Sequence, residues 1–411
     1  MISLDREFPE RFTLDPDAET FLAPELLPRR AQLLADQRRV NVIREYTMRG
    51  DAVADAYAEL IPQYGFRQLA SMLARACECG VDSVDGAPPE LIALIRDMEA
   101  RLTWFDMRMV EEGARLERNA YVHRAPFAVR AGLIGTFMNK YTALPMALTG
   151  TLSNKTAARR ATETAIFFTT TVLPGAMGRQ GAGFKAAAQV RFMHSMVRFN
   201  VGRSGHWDAS VYGVPIPQVD QMPAGLFSVY MLAQDVLREG RTAFTADERA
   251  RVEIARARCF LLGLPEALLE TTPQGIVDLM LTRHATLRSG FDHNCSALVT
   301  ATMAADLRPD FSLSGNLYGW LERGFSKLFF IKNSMRGSKK AAAQVGVRLS
   351  FVDYLSALAT VVLAGAQMSA YDVAARIPWV RDAADRSLIR ALTKQLERYA
   401  LVCRKDAHIQ A

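Results

Sequence analysis

His194 lies in the run Val190-Arg191-Phe192-Met193-His194-Ser195-Met196-Val197-Arg198, which is strongly helical in pattern and otherwise apolar. Arg191 precedes the histidine by three residues and Arg198 follows it by four, so a helix places all of them on one face, a cation about one turn to either side of the imidazole. An imidazole is an iron ligand, and guanidiniums suit the carboxylates of a planar iron-containing macrocycle such as haem. A plainer reading fits the same residues: a lone histidine on an apolar helix is commonly a hydrogen-bonded core residue, and arginines at helical spacing are commonly solvated.

About thirty residues upstream, Arg159-Arg160-Ala161-Thr162-Glu163-Thr164 forms a second constellation. Arg160 and Thr164, at i and i+4, project from one side of a helix with Glu163 beside them. In a pocket, Arg160 and Thr164 could donate hydrogen bonds to bound dioxygen or a carboxylate, and Glu163 could move a proton. A capped, solvated helix start is the alternative.

Other chemistries find little support. Cys77 and Cys79 form a C-x-C pair with no second pair nearby to complete a zinc site. Gly175, Gly178, Gly181 and Gly183 precede a helix, yet the Lys-Ser/Thr of a phosphate-binding loop is missing and no strand leads into them. Neither H-E-x-x-H nor G-x-S-x-G occurs among the motifs, which leaves hydrolase readings without a basis.

The chain that must position these residues has 411 residues, half of them hydrophobic and 23% charged, a composition that excludes disorder. Fifty Lys and Arg against 43 Asp and Glu give a formal charge of +7, with basic and acidic residues interspersed rather than in a phosphate-tracking stripe. We therefore expect no nucleic-acid partner. Five cysteines argue against a disulfide framework and fit a reducing compartment. Met1 to Thr20 is rich in charge and lacks the apolar stretch of a signal peptide, so a cytoplasmic location is expected. The longest apolar run, Leu355 to Ala370, is short and diluted for a membrane span; the expectation is a buried helix and no stable membrane insertion.

Helical periodicity dominates, strand signals are nearly absent, and the class expected is all-α. Helical pattern covers Leu22 to Leu33 and Val40 to Leu60, and Gly80 to Pro89 reads as a loop. Long apolar helices follow from Arg130 to Arg203, interrupted at Pro145, Gly150 and Pro174. Trp207 to Pro223, with Pro215, Pro217 and Pro223, is predicted to be irregular, because each proline removes a donor and restricts its predecessor. Thr245 and Thr272 are placed as N-caps of later helices, and Pro378 separates the last two long ones. A single large helical domain is expected, with N-terminal helices in 1–110, a core in 111–290 and C-terminal helices in 291–411.

Read in order, these segments resemble the latex clearing protein (rubber oxygenase) and MpaB-type oxygenase family. The matching features are Thr149-Gly150-Thr151-Leu152, then Arg160-x-x-Glu163-Thr164, then Val190-Arg191-x-x-His194-x-x-Val197-Arg198. Trp207-Asp208 and Tyr212-Gly213-Val214-Pro215-Ile216-Pro217-Gln218-Val219-Asp220 come next, similar to the family's W-G-x-P-I-N-Q-x-D segment. Phe227-Ser228 and Leu261-Leu262-Gly263-Leu264-Pro265 follow, and the resemblance runs from about Ala120 to Leu281.

The resemblance implies a haem b protein with a globin-like core, His194 as proximal iron ligand, Arg191 and Arg198 supporting the haem site, and Arg160 and Thr164 near the distal side. Arg323 is set loosely against a later family arginine. It also implies O2 as co-substrate and oxidative cleavage of a carbon–carbon double bond; because no export signal is evident, a small lipophilic substrate is expected rather than polyisoprene, which cannot enter a cell. Glu163 stands where some relatives place a lysine, so a lysine-capped iron is not expected. The region aligned with the family's distal acid, Leu144 to Leu148, is apolar, which leaves Glu163 as the available base. A haem peroxygenase or monooxygenase, and a non-catalytic haem or gas-binding protein, are the alternative functions.

Overall fold

The computed structural model describes residues 8–150 and 156–408; Thr151 and Leu152 of the first matching feature lie outside the described residues. Among the described residues the regular elements are helical, and extended chain pairs only in two isolated bridges, Phe12 with Leu287 and Thr20 with Arg288. The all-α expectation holds.

Helices of at least seven residues are numbered in chain order. The first are α1 (Gln37–Thr47), α2 (Ala52–Ala58), α3 (Phe66–Cys79), α4 (Pro89–Leu102) and α5 (Met107–His123). Next come α6 (Ala125–Gly135), α7 (Lys140–Leu148), α8 (Ala157–Thr170) and α9 (Ala182–Gly202). Then follow α10 (Gln218–Arg238), α11 (Ala246–Leu261), α12 (Pro273–Thr286), α13 (His293–Ala304), α14 (Leu313–Asn333), α15 (Phe351–Ala375) and α16 (Pro378–His408). They fall into two compact units, each assembled from separated stretches of chain. The first comprises Met1–Gly113 and Gly175–Gly290, the second Ala114–Pro174 and Phe291–Ala411. The stretch expected as one core, 111–290, is thus shared between the units.

In the first unit α9 carries His194. Phe184, Ala187, Ala188, Arg191, Phe192, Ser195, Arg198 and Val201 recur every three or four residues and form its buried stripe against α2 and α3. Phe192 meets Tyr57 at 5.0 Å and stacks on Phe66 at 5.6 Å between ring centroids. The predicted caps are present. Thr245 accepts from the Glu248 amide while Glu248 reaches back to the Thr245 amide, and Thr272 accepts from the Gly275 amide.

Two proline expectations are corrected. α7 continues through Pro145, and α10 begins at Gln218 and runs through Pro223, so the irregular segment ends at Pro217. Pro223 cannot donate to the carbonyl of Val219 one turn earlier. The Arg283 Nε takes that acceptor instead, at 2.7 Å, so the missing amide leaves no buried carbonyl stranded.

In the second unit α8 packs on α6 and α16, and α14 packs on α6 and α15. Its apolar core includes Ile134, Phe137, Ala161, Val299 and Phe330. A buried ion pair crosses it: Arg130 Nη2 lies 2.7 Å from Glu322 Oε2, both side chains almost wholly excluded from water. Arg130 Nη1 also donates to the carbonyls of Thr302, Met303 and Ala305, closing the C-terminus of α13 with a cation. Arg323, next to Glu322, is exposed.

The run Leu355 to Ala370 is helical, as predicted, but not buried. Only Ser356, Ala357, Thr360 and Ala364 of α15 are enclosed, whereas Phe351, Val362 and Leu358 are 75%, 63% and 52% exposed. α15 is long and apolar enough to cross a membrane by length and composition. Apolar composition measures what burial would yield, not whether a partner element exists to provide it.

Candidate functional site

His194 is half-buried on α9, at the edge of the buried stripe. Its Nδ1 lies 3.2 Å from Gln221 Oε1 on the first turn of α10. Gln221 Nε2 donates to Gln218 Oε1 at 2.8 Å, and Gln218 Nε2 donates to the backbone carbonyl of Gly50 at 3.0 Å. A backbone carbonyl can only accept, so Gln218 must present its NH2 group there and its oxygen to Gln221. Gln221 then turns its NH2 group toward Gln218 and its oxygen toward the imidazole. The polarity set at Gly50 therefore reaches His194 and makes Nδ1 the donor; in the neutral ring this places the lone pair on Nε2, the form in which histidine ligates a metal.

The arginines on either side are enclosed rather than extended into open space. Arg191 is 1% exposed, with its Nε and Nη2 on the carboxylate of Asp51 and its Nη1 2.6 Å from Asp97 Oδ2. Burial works against the charge on both Arg191 and Asp51, but the pairing overrides it, raising the guanidinium and holding the Asp51 carboxyl below its usual range. Asp51 also accepts from the Ala54 amide as N-cap of α2. Arg198 donates from Nε to Asp55 at 2.7 Å, from Nη1 to the Ile216 carbonyl at 3.1 Å and from Nη2 to Ser195 Oγ at 2.8 Å. Spacing offered these arginines as clamps for a macrocycle's carboxylates; the geometry makes them struts that tie α9 to α2 and α4.

Two glycines close over these struts. Gly263 has φ +94°, and a Cβ there would collide with Asp51 and press on Arg191. A Cβ on Gly50 would meet Asp55 Oδ2 at 2.7 Å and the Arg198 side chain at 2.8 Å. The Trp207 to Asp220 segment completes the frame. Trp207 Nε1 donates to the Gly213 carbonyl at 2.7 Å, and Asp220 accepts both Nη groups of Arg11, at 3.0 and 2.6 Å.

Arg160, Glu163 and Thr164 lie on α8 in the second unit. Glu163 bridges Arg159, at 2.8 Å, and Arg160, at 3.3 Å, with all three side chains partly exposed. Thr164 is exposed, and its hydroxyl donates to the Arg160 carbonyl at 3.1 Å. The expected grouping of these residues on α8 is present, with the threonine hydroxyl turned onto its own helix.

Sequence reasoning passed over Gln221, Asp51, Asp55 and Asp97. Gln221 had a local signal, since it lies one turn beyond Gln218 in a segment already singled out. The aspartates had none, being 94 to 143 residues distant from the arginines they hold. Among the described residues, no three His, Cys, Asp or Glu side chains are grouped so as to hold a metal ion.

Comparison with known proteins supplies the family. Residues 120–324, about half of the chain, match the catalytic domain described as ER-bound oxygenase mpaB/B'/rubber oxygenase. Among solved structures, latex clearing protein in its closed state is similar in fold, with a TM-score of 0.56 and 16% sequence identity, over 84% of this chain and 91% of that one. No curated protein matches the sequence at a significant level. The matched span takes in His194, both flanking arginines and the α8 constellation, and the chain belongs to the mpaB/rubber oxygenase family.

Proposed function

We propose that this protein is a haem b-dependent oxygenase that uses O2 to cleave a carbon–carbon double bond in a small apolar substrate. The observation that carries the reading is the directed hydrogen-bond chain from Gly50 to His194, which makes Nδ1 the donor as in a metal-ligating imidazole. The donor chemistry fits haem iron: an imidazole with Nδ1 held by an acceptor could offer Nε2 to the metal. Family membership supports an oxygenase.

His194 Nε2 would hold the iron, and Gln221 would keep the ring from rotating. Arg191 and Arg198 fix the helix that carries His194 through Asp51, Asp97 and Asp55, so their contribution is positional. When bound, haem supplies the dioxygen chemistry. On α8, Arg160 supplies hydrogen-bond donors, and Glu163 can hold a proton at the carboxylate oxygen that faces Arg160. The overall change is balanced: one O2 and one alkene give two carbonyl compounds, each keeping one oxygen atom.

Incubation of the holoenzyme with candidate lipophilic alkenes under 18O2 tests the assignment. Two carbonyl products that each carry label are expected. A single labelled hydroxyl, or activity only with peroxide, would overturn double-bond cleavage by O2.

A further inference from the structure

The exposed face of α15 is joined to a strongly basic connector. Between Glu322 and Asp353 the chain contains no acidic residue, and Lys332, Arg336, Lys339, Lys340 and Arg348 within that interval are all exposed. Lys332 lies in the last turn of α14, and the others lie in the connector and short helix that lead into α15. From Tyr354 to Tyr371 there is no charged residue, and Leu355, Leu358, Val361, Val362 and Leu363 point outward. The opposite side of α15 rests on α14: Thr360 Oγ1 donates to the Leu321 carbonyl at 3.2 Å, and Lys327 Nζ pairs with Asp353 at 2.7 Å. That antiparallel register sets the exposed Leu313 and Leu317 beside the second half of α15.

We propose that this face is a docking surface for an anionic lipid bilayer, with the aliphatic side chains of α15 entering the headgroup boundary and the basic connector on the lipid phosphates. An interfacial helix needs an apolar face together with cations, and both occur here on one continuous stretch. Its 25 residues are about 38 Å long at ~1.5 Å per residue. One side is held by α14, so α15 lies along the surface rather than through it. Charge selects lipid over a second copy of the chain. Parallel pairing of two α15 helices would oppose two basic connectors, whereas lipid phosphates complement the excess of cations in the connector directly. The inference stands apart from the haem assignment, since it uses no residue of that site.

Flotation of the full chain with vesicles of phosphatidylcholine, alone or mixed with phosphatidylglycerol, tests it. The protein is expected to float with the mixed vesicles, not with phosphatidylcholine alone, and to dissociate in high salt. Lys339→Glu with Lys340→Glu, and separately Leu358→Glu with Val362→Glu, are each expected to weaken binding about tenfold or more with circular dichroism unchanged. Failure of the unmodified protein to float with mixed vesicles would overturn the proposal. So would flotation unaffected by the Leu358 and Val362 changes, or self-association in solution that those changes abolish.

Discussion

The backbone carbonyl of Gly50 determines which ring nitrogen of His194 carries the proton. The two are linked through the side chains of Gln218 and Gln221, and each link has one permitted direction. Gln221→Leu removes the acceptor at Nδ1. Loss of such an outer partner typically weakens metal affinity about 10–100-fold, and we expect haem retention to fall by that factor. Gln221→Glu, which keeps an acceptor, retains the haem. Haem content by pyridine haemochrome, together with the ring nitrogen shifts of the apo-protein, checks both.

Arg191 and Asp51 act on the fold rather than on the cofactor. Truncating Asp51 leaves the buried Arg191 with the partly exposed Asp97 as its remaining counter-charge, at a cost toward the lower end of the about 3–5 kcal/mol typical of a broken buried pair. Asp51→Ala should lose that much in urea unfolding, more than the roughly 1 kcal/mol expected for an N-cap alone. Arg191→Met combined with Asp51→Leu should be more stable than either single change.

Glu163 is accessible and shared by two arginines, so its ion pairs hold little stability, within about 1 kcal/mol. Glu163→Gln should leave the melting temperature nearly unchanged and lower kcat if its carboxylate moves a proton. Normal turnover with normal stability would exclude it from that role.

Burial beside the charge of Arg283 pushes the His284 imidazole down to about 3, with Phe21 and Tyr230 as ring neighbours at 6.1 and 6.3 Å. An unfolded histidine titrates near 6.5. Because the folded value is depressed, the stability of the neutral ring is complete above about pH 6.5 and is lost as pH falls toward the folded value. Unfolding free energy should drop by about 1–2 kcal/mol between roughly pH 6.5 and 5. His284→Phe should flatten that slope in pH-dependent urea unfolding.

Local chemistry was legible in the sequence, and long-range pairing was not. Thr245 and Thr272 cap the helices assigned to them because a cap and its amide are three residues apart. Pro223 misled because its compensation comes from Arg283, 60 residues further along the chain. His194 was singled out by its apolar helix, yet the carboxylates that occupy Arg191 and Arg198 come from α2 and α4, which no helical spacing links to α9. Leu355 to Ala370 had the composition of a core helix, but α14, α16 and α5 cover only part of its circumference. The order of motifs carried the family because it draws on many positions at once.

The central claim is that His194 binds haem iron. Protein produced with ample iron and haem precursor should show a Soret band, and His194→Ala should lose it while keeping its helical circular dichroism. A His194→Ala protein with undiminished Soret absorption and haem stoichiometry would contradict the account.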